Sequence, residues 1–88
     1  MTSTLLHTHL LSWPVDWTAV FTREAPLLIE IGFGGGHFLI DLAQRRPLAN
    51  VLGVEISLPA LDKAQRKVQT AALSNVRVLQ SDARYLLQ

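Results

Sequence analysis

Apolar positions in this chain fall into short blocks whose spacing changes along the sequence. Leu27, Leu28, Ile29 and Ile31 surround a single acid, Glu30, between Pro26 and Gly32. So short and dense a run predicts a strand buried in a parallel sheet. Val51 to Ile56 (VLGVEI) repeats the pattern, and Val76 to Leu79 (VRVL) predicts a third strand. Between these runs the period becomes helical. Phe38, Leu39, Leu42 and Ala43 recur at helical spacing from His37 onward and predict a core-facing side that includes Phe38 and Leu39. Arg45 and Arg46 fall in the last turn, where cations suit the helix dipole, and Pro47 stops the helix. Ser57 predicts the cap of a further helix, with Pro59 in its first turn. Leu61, Ala64, Val68, Ala71 and Ala72 form its apolar stripe, Asp62, Lys63, Arg66 and Lys67 face water, and Ser74-Asn75 closes it.

Residues 1–12 show no clear period and read as a loose lead-in. Asp16, Trp17, Val20 and Phe21 then predict a helix of about two turns ending before Pro26, because the residue preceding a proline is pushed out of the helical region. Trp13 and Trp17 are expected to pack against the sheet. The order is helix, strand, helix, strand, helix, strand. Such alternation implies parallel pairing with right-handed crossovers. The predicted fold is α/β, the N-terminal half of a Rossmann-like three-layer fold with parallel strands. Residues 1–24 form the lead-in with its short helix, and 25–88 form a cofactor-binding half-domain. A full doubly wound sheet has about twice as many strands, so the chain reads as the first half of a larger enzyme, with one exposed, association-prone strand edge.

Composition narrows the function. The 88 residues allow one small domain, and 49% hydrophobic residues suffice for a core. Eight basic and seven acidic residues give a net charge of +1, too little for an electrostatic footprint on nucleic acid. An RNA partner would be held mainly by surface outside this segment. The absence of cysteine excludes disulfides and thiolate metal sites. His7 and His9 lack an evident third ligand for zinc. The N-terminus lacks a basic n-region, and no run approaches the roughly 18 apolar residues of a membrane span. A cytoplasmic protein without membrane contact is expected.

In a parallel α/β sheet, ligands sit at the carboxyl ends of the strands. The first of these ends carries Gly32-Phe33-Gly34-Gly35-Gly36. A dinucleotide fingerprint needs a third glycine at position 37, which is His37, so the spacing counts against NAD and FAD. Glu55 ends the second strand, 23 residues after Gly32, where a carboxylate can accept from both ribose hydroxyls; apolar Ile56 follows it. Asp82 follows the third strand and can accept from an adenine amino group, with the Ala83 amide near a ring nitrogen. Asp82 also reads equally well as a helix cap. Glu30, just before the turn, would repel a pyrophosphate and favour a cationic nucleoside. Together these residues fit S-adenosylmethionine. His37 reads as a first-turn helix residue or a contact to the cofactor carboxylate. Arg45, Arg46, Arg66 and Lys67 read as solvated helix faces.

The wording around the turn is more specific. LLIEIGFGGGHFLIDLAQRRPLANVLGVEI, followed by NVRVLQSDA, resembles the tRNA (guanine-N7-)-methyltransferase family. The sequence E-I-G-F-G-x-G, then F-L, A-x-x-x-P-x-x-N and G-x-E-I, is narrower than the acid-x-glycine pattern of methyltransferases in general. The resemblance spans about residues 25 to 85, and WPVDWTAVF is similar to a lead-in helix in some members. It implies methyl transfer from S-adenosylmethionine to N7 of a guanine in the tRNA variable loop. It also implies that Glu30, Gly32, Gly34, Gly36, Glu55, Ile56, Asp82 and Ala83 bind the cofactor. The family's substrate-binding acid lies in a motif after a fourth strand. These 88 residues contain no such motif, so no catalytic residue is assigned and tRNA is expected to be held mainly by a C-terminal half. Another methyltransferase, acting on a protein or small molecule, and a non-catalytic nucleoside-binding fragment remain open alternatives.

Overall fold

The computed structural model describes residues 4–7, 11, 13–32 and 34–82. Strand β1 (Leu5–His7) is followed by α1 (Trp17–Phe21), β2 (Leu27–Ile31), α2 (His37–Arg45), β3 (Asn50–Glu55), α3 (Leu58–Thr70) and β4 (Val76–Gln80). All pairings are parallel and the sheet order is β1-β4-β3-β2. The lead-in therefore contains a strand that its irregular sequence did not reveal. Leu5 and Leu6 pair with Val78 and Leu79. The outer side of β4 supplies the backbone partners, so pairing rather than periodicity makes β1 a strand.

Handedness explains the layers. The β2-α2-β3-α3-β4 path crosses the sheet in one direction, while β1-α1-β2 crosses it in the other. Right-handed crossovers in opposite directions put their helices on opposite faces. Accordingly, α2 and α3 cover one face through Leu39, Ala43, Leu61, Ala64 and Val68, packed on Val51, Val76 and Val78. On the other face α1 brings Phe21 against Leu6, Leu52, Val54 and Leu79. Five residues of helix cannot cover that face. Ile29 and Ile31 remain 51% and 53% exposed, and β2 pairs only with β3 among the described residues.

Local chemistry sets the element ends. The Asp16 carboxylate caps α1 by accepting from the Ala19 amide at 3.2 Å. The helix is shorter than expected, because Thr22 turns left-handed (φ 56°) and closes it well before Pro26. Ser57 caps α3 by accepting from the Ala60 amide at 3.3 Å. That helix ends at Thr70 rather than at Ser74-Asn75. Of its expected stripe, Leu61, Ala64 and Val68 are buried, Ala71 is half-buried and Ala72 is exposed beyond the last turn. Phe38 is also not core, being 69% exposed. Residues advance about 100° around a helix, so with Leu39 and Ala43 set on the sheet Phe38 lies well off the contact line. Trp17 packs beside Phe21 as expected, but Trp13 is half exposed.

Asn75 is buried and lies between the helical layer and the sheet. Its Nδ2 donates to the carbonyls of Ala43, Arg46 and Ala49, each at 3.1 Å. These include carbonyls that the last turn of α2 cannot satisfy internally. Arg23 makes a matching clasp on the other side. Its guanidinium donates to Asn50 Oδ1, the Pro47 carbonyl and the Ala49 carbonyl, and Asn50 donates back to the Arg23 carbonyl.

Candidate cofactor site

The carboxyl ends of β2, β3 and β4 lie side by side because the strands are in register: Ile31 pairs with Val54, which pairs with Leu79. A cleft of about 270 Å³ opens there, lined by Ile31, Gly32, Val54, Glu55, Ile56, Ser81 and Asp82. The structure thus brings together Gly32, Glu55, Ile56 and Asp82 from three separate chain segments. Ala83 lies outside the described residues. Among the described residues lining the cleft, two are acidic and none is basic.

The turn after β2 is held from three directions. The Gly32 amide donates to the Val54 carbonyl at 2.8 Å. The Gly34 amide donates to Glu55 Oε1 at 3.2 Å. From behind, Lys67 Nζ donates to the Gly35 carbonyl at 2.6 Å. Lys67 was expected in water; instead it reaches from α3 to the turn. It stands three residues after Ala64, beside the apolar stripe, and that i, i+3 placement was the available signal.

The glycines differ in what they require. Gly32 and Gly34 have φ of +70° and +57°, with nothing within 4 Å of where a Cβ would stand. Their backbone lies open on the outside of the turn. Gly36 has φ +90°, and a Cβ there would stand 3.0 Å from both Cα and Cβ of Ala64. Its role is close packing of the turn against α3, so of the three expected cofactor glycines it is the one whose position answers first to the protein interior.

The Glu55 carboxylate is oriented by backbone amides. Oε2 accepts from Ile56 at 2.8 Å and Ser57 at 3.3 Å, while Oε1 accepts from Gly34. A carboxylate has about four acceptor directions, so this orientation leaves capacity for further donors. Glu30 shares the α2/α3 side of the sheet with Leu28, and its Oε2 is buried without a hydrogen-bond partner. Burial pushes its carboxyl above the usual value. His37 opens α2 and is exposed. Arg45 and Arg66 pair with Asp41 and Asp62 on exposed helix faces, each at 2.9 Å. Among the described residues no group of three His, Cys, Asp or Glu could hold a metal ion, and no helix is long and apolar enough to cross a membrane.

A parallel sheet with a glycine turn after one strand, and acids at the next two strand ends, defines a Rossmann-like α/β protein of the methyltransferase type. The family comparison agrees: a family model described as putative methyltransferase matches residues 24–88, and the chain belongs to that family. Among curated relatives, it is 43% identical over 76 residues to the tRNA (guanine-N(7)-)-methyltransferase of Thermotoga maritima, covering 86% of this chain and 24% of the relative. It is 43% identical over 75 residues to the protein of that name in Yersinia enterocolitica, covering 85% and 31%. For Helicobacter pylori strain J99 the identity is 43% over 66 residues, covering 75% and 16%. The chain spans between about a sixth and a third of the length of these relatives.

Proposed function

We propose that this chain is the cofactor-binding part of an enzyme transferring a methyl group from S-adenosylmethionine to N7 of guanine in the tRNA variable loop. In this reading residues 25–88 are the cofactor half-domain, the tRNA is held mainly by the remainder of such an enzyme, and the reaction runs in the cytoplasm. The observation that carries it is the acid-lined cleft formed by three strand ends beside an open glycine turn. The two acids, with no base among the described lining residues, disfavour a pyrophosphate, and the same set suits a ribonucleoside with a cationic centre. The relatives' names carry the choice of tRNA and of N7.

S-adenosylmethionine supplies an electrophilic methyl group on a sulfonium. The chain's own residues bind and orient. Glu55, fixed by the Gly34, Ile56 and Ser57 amides, accepts from ribose hydroxyls. Asp82 and the Ala83 amide meet the adenine, and Ile56 supplies apolar contact. Gly32 and Gly34 let the backbone approach the ligand closely. Glu30, immediately before the turn, would stabilise positive charge near it when ionised. N7 of guanine has a free lone pair and no proton to remove, so this chain needs no general base, and alignment is its main contribution.

Two measurements test this. Calorimetry with S-adenosylhomocysteine should show binding that Glu55→Gln weakens about tenfold or more, as expected for a charge-assisted hydrogen bond worth about 1.5–3 kcal/mol. Radiolabelled methyl transfer to a tRNA transcript, by an enzyme that joins this chain to the remainder it lacks, should vanish when guanine is replaced by 7-deazaguanine. A folded chain that binds no S-adenosylhomocysteine would sink the cofactor assignment. Methylation that persists on the 7-deaza transcript would sink the N7 assignment.

A further inference from the structure

At the opposite end of the sheet from the glycine turn is a second cavity, of about 520 Å³. It lies at the amino ends of the strands, where α1 and α3 finish and β1 and β4 begin. Each residue of β4 rises about 3.3 Å, so its five residues hold the two ends roughly 13 Å apart. Thr4, Thr22, Arg23, Gln69, Ser74 and Arg77 supply its polar lining, and among the described residues no acidic one lines it.

Arg77 is the unusual member. It sits on β4 and is only 6% exposed. Its guanidinium stacks 5.1 Å from the centre of the Phe21 ring. Nη1 donates to the carbonyls of Ser74 and Val76, at 3.0 and 2.8 Å. Nε is buried without any acceptor, and no carboxylate pairs with the group. Arg23, on the same wall, spends its donors on Asn50 Oδ1 and two carbonyls, and likewise faces no carboxylate. Two guanidinium charges thus border one cavity with no anion among the described residues to balance them. A buried charge without a counterion is costly, and an unsatisfied buried donor adds to that cost. Burial accordingly pushes the Arg77 pKa down from its usual value.

We propose that this cavity is an anion site that takes a phosphate group, with Arg77 as its principal charge and the Ser74 hydroxyl at its rim. A guanidinium matches phosphate oxygens in geometry and charge. The volume admits a phosphate together with an attached sugar. The site is separate from the acid-lined cleft and does not rest on the methyl-transfer reading. Its phosphate can come from a small phosphomonoester or from the phosphodiester backbone of an RNA strand.

The test is calorimetry on the full chain with inorganic phosphate, ionic strength being held constant with chloride. A saturable one-site isotherm is expected. Gln69→Glu places a carboxylate in the cavity from an exposed helix position, and should weaken phosphate binding at least tenfold without unfolding the chain. Arg77→Lys should weaken it several-fold, and circular dichroism checks that this variant folds. Adenosine monophosphate and a short oligouridylate lacking terminal phosphates, each competed against phosphate, identify the source. Competition by the monophosphate alone assigns a small phosphomonoester, and competition by the oligonucleotide assigns an RNA backbone. No saturable binding, or binding that Gln69→Glu leaves undiminished, overturns the proposal.

Discussion

Gly36→Ala isolates the tightest contact at the turn. Two costs add. The residue has φ +90°, where an L side chain is strained by about 1–2 kcal/mol. Its new Cβ would also stand 3.0 Å from Cα and Cβ of Ala64. Carbon pairs prefer about 3.5–4.0 Å, and the neighbour here is helix backbone that moves only if α3 moves. Overpacking of that kind costs about 1–3 kcal/mol. The expected loss is about 2–5 kcal/mol, from a total of about 4–13 kcal/mol for a domain of this length. Gly34→Ala is the control. Its φ is +57° and its Cβ would meet nothing, so only the strain remains, about 1–2 kcal/mol.

Urea denaturation followed by far-ultraviolet circular dichroism measures both. Adding Ala64→Gly to Gly36→Ala should relieve the overlap with Cβ but not that with Cα, while costing about 1 kcal/mol of helix propensity. The double-mutant cycle should therefore recover only part of the overpacking cost, a coupling of about 0.5–1.5 kcal/mol in the stabilising direction. Equal losses at Gly34 and Gly36, or a coupling near zero, would refute the assignment of Gly36 to packing.

Three further outcomes follow from single contacts. Because burial raises the Glu30 pKa in the folded state, the folded chain holds a proton that the unfolded chain releases, so stability falls as pH rises from the usual carboxyl range through the raised value. Melting temperature against pH should lose that decline in Glu30→Gln. Lys67→Met removes the 2.6 Å bond to the Gly35 carbonyl and should weaken S-adenosylhomocysteine binding about tenfold, while Lys67→Arg retains most of it. Asn75→Ala leaves the carbonyls of Ala43, Arg46 and Ala49 short of a donor and should cost about 2–4 kcal/mol by denaturant titration.

The elements that carry their own periodicity or caps were legible. β2 stands between Pro26 and Gly32 as expected, and Ser57 caps α3 as its sequence implies. What escaped was decided by partners distant in sequence. β1 is a strand because β4 offers an open edge. Lys67 leaves water because the Gly35 carbonyl lies within reach, and Asn75 reads locally as a helix stop although its amide serves three carbonyls more than 25 positions away. Phe38 was misread because helical spacing fixes the angles between residues but not which of them faces the sheet.

The candidate site depends on register more than on any one motif. Glu55 pairs with Gln80, and Ile31 with Val54, so the glycine turn, the ribose-type acid and Asp82 emerge at one level although more than 20 residues separate Gly32 from Glu55 and Glu55 from Asp82. A slip of one residue in a strand would send its side chains to the other face. The core resists that slip because alternate residues of β3 and β4 belong to different clusters. Val51, Val76 and Val78 pack beneath α2 and α3, while Leu52, Val54 and Leu79 pack against Phe21 on the α1 side. Shifting β4 by one residue would bring Arg77 and Leu79 beneath α2 and α3 and set Val76 and Val78 on the Phe21 side. The same packing that stabilises the half-sheet therefore sets the height at which Glu55 and Asp82 meet the turn. This is why the chemistry of the site could be anticipated from scattered acids and glycines, while its precision depends on valines and leucines that touch no ligand.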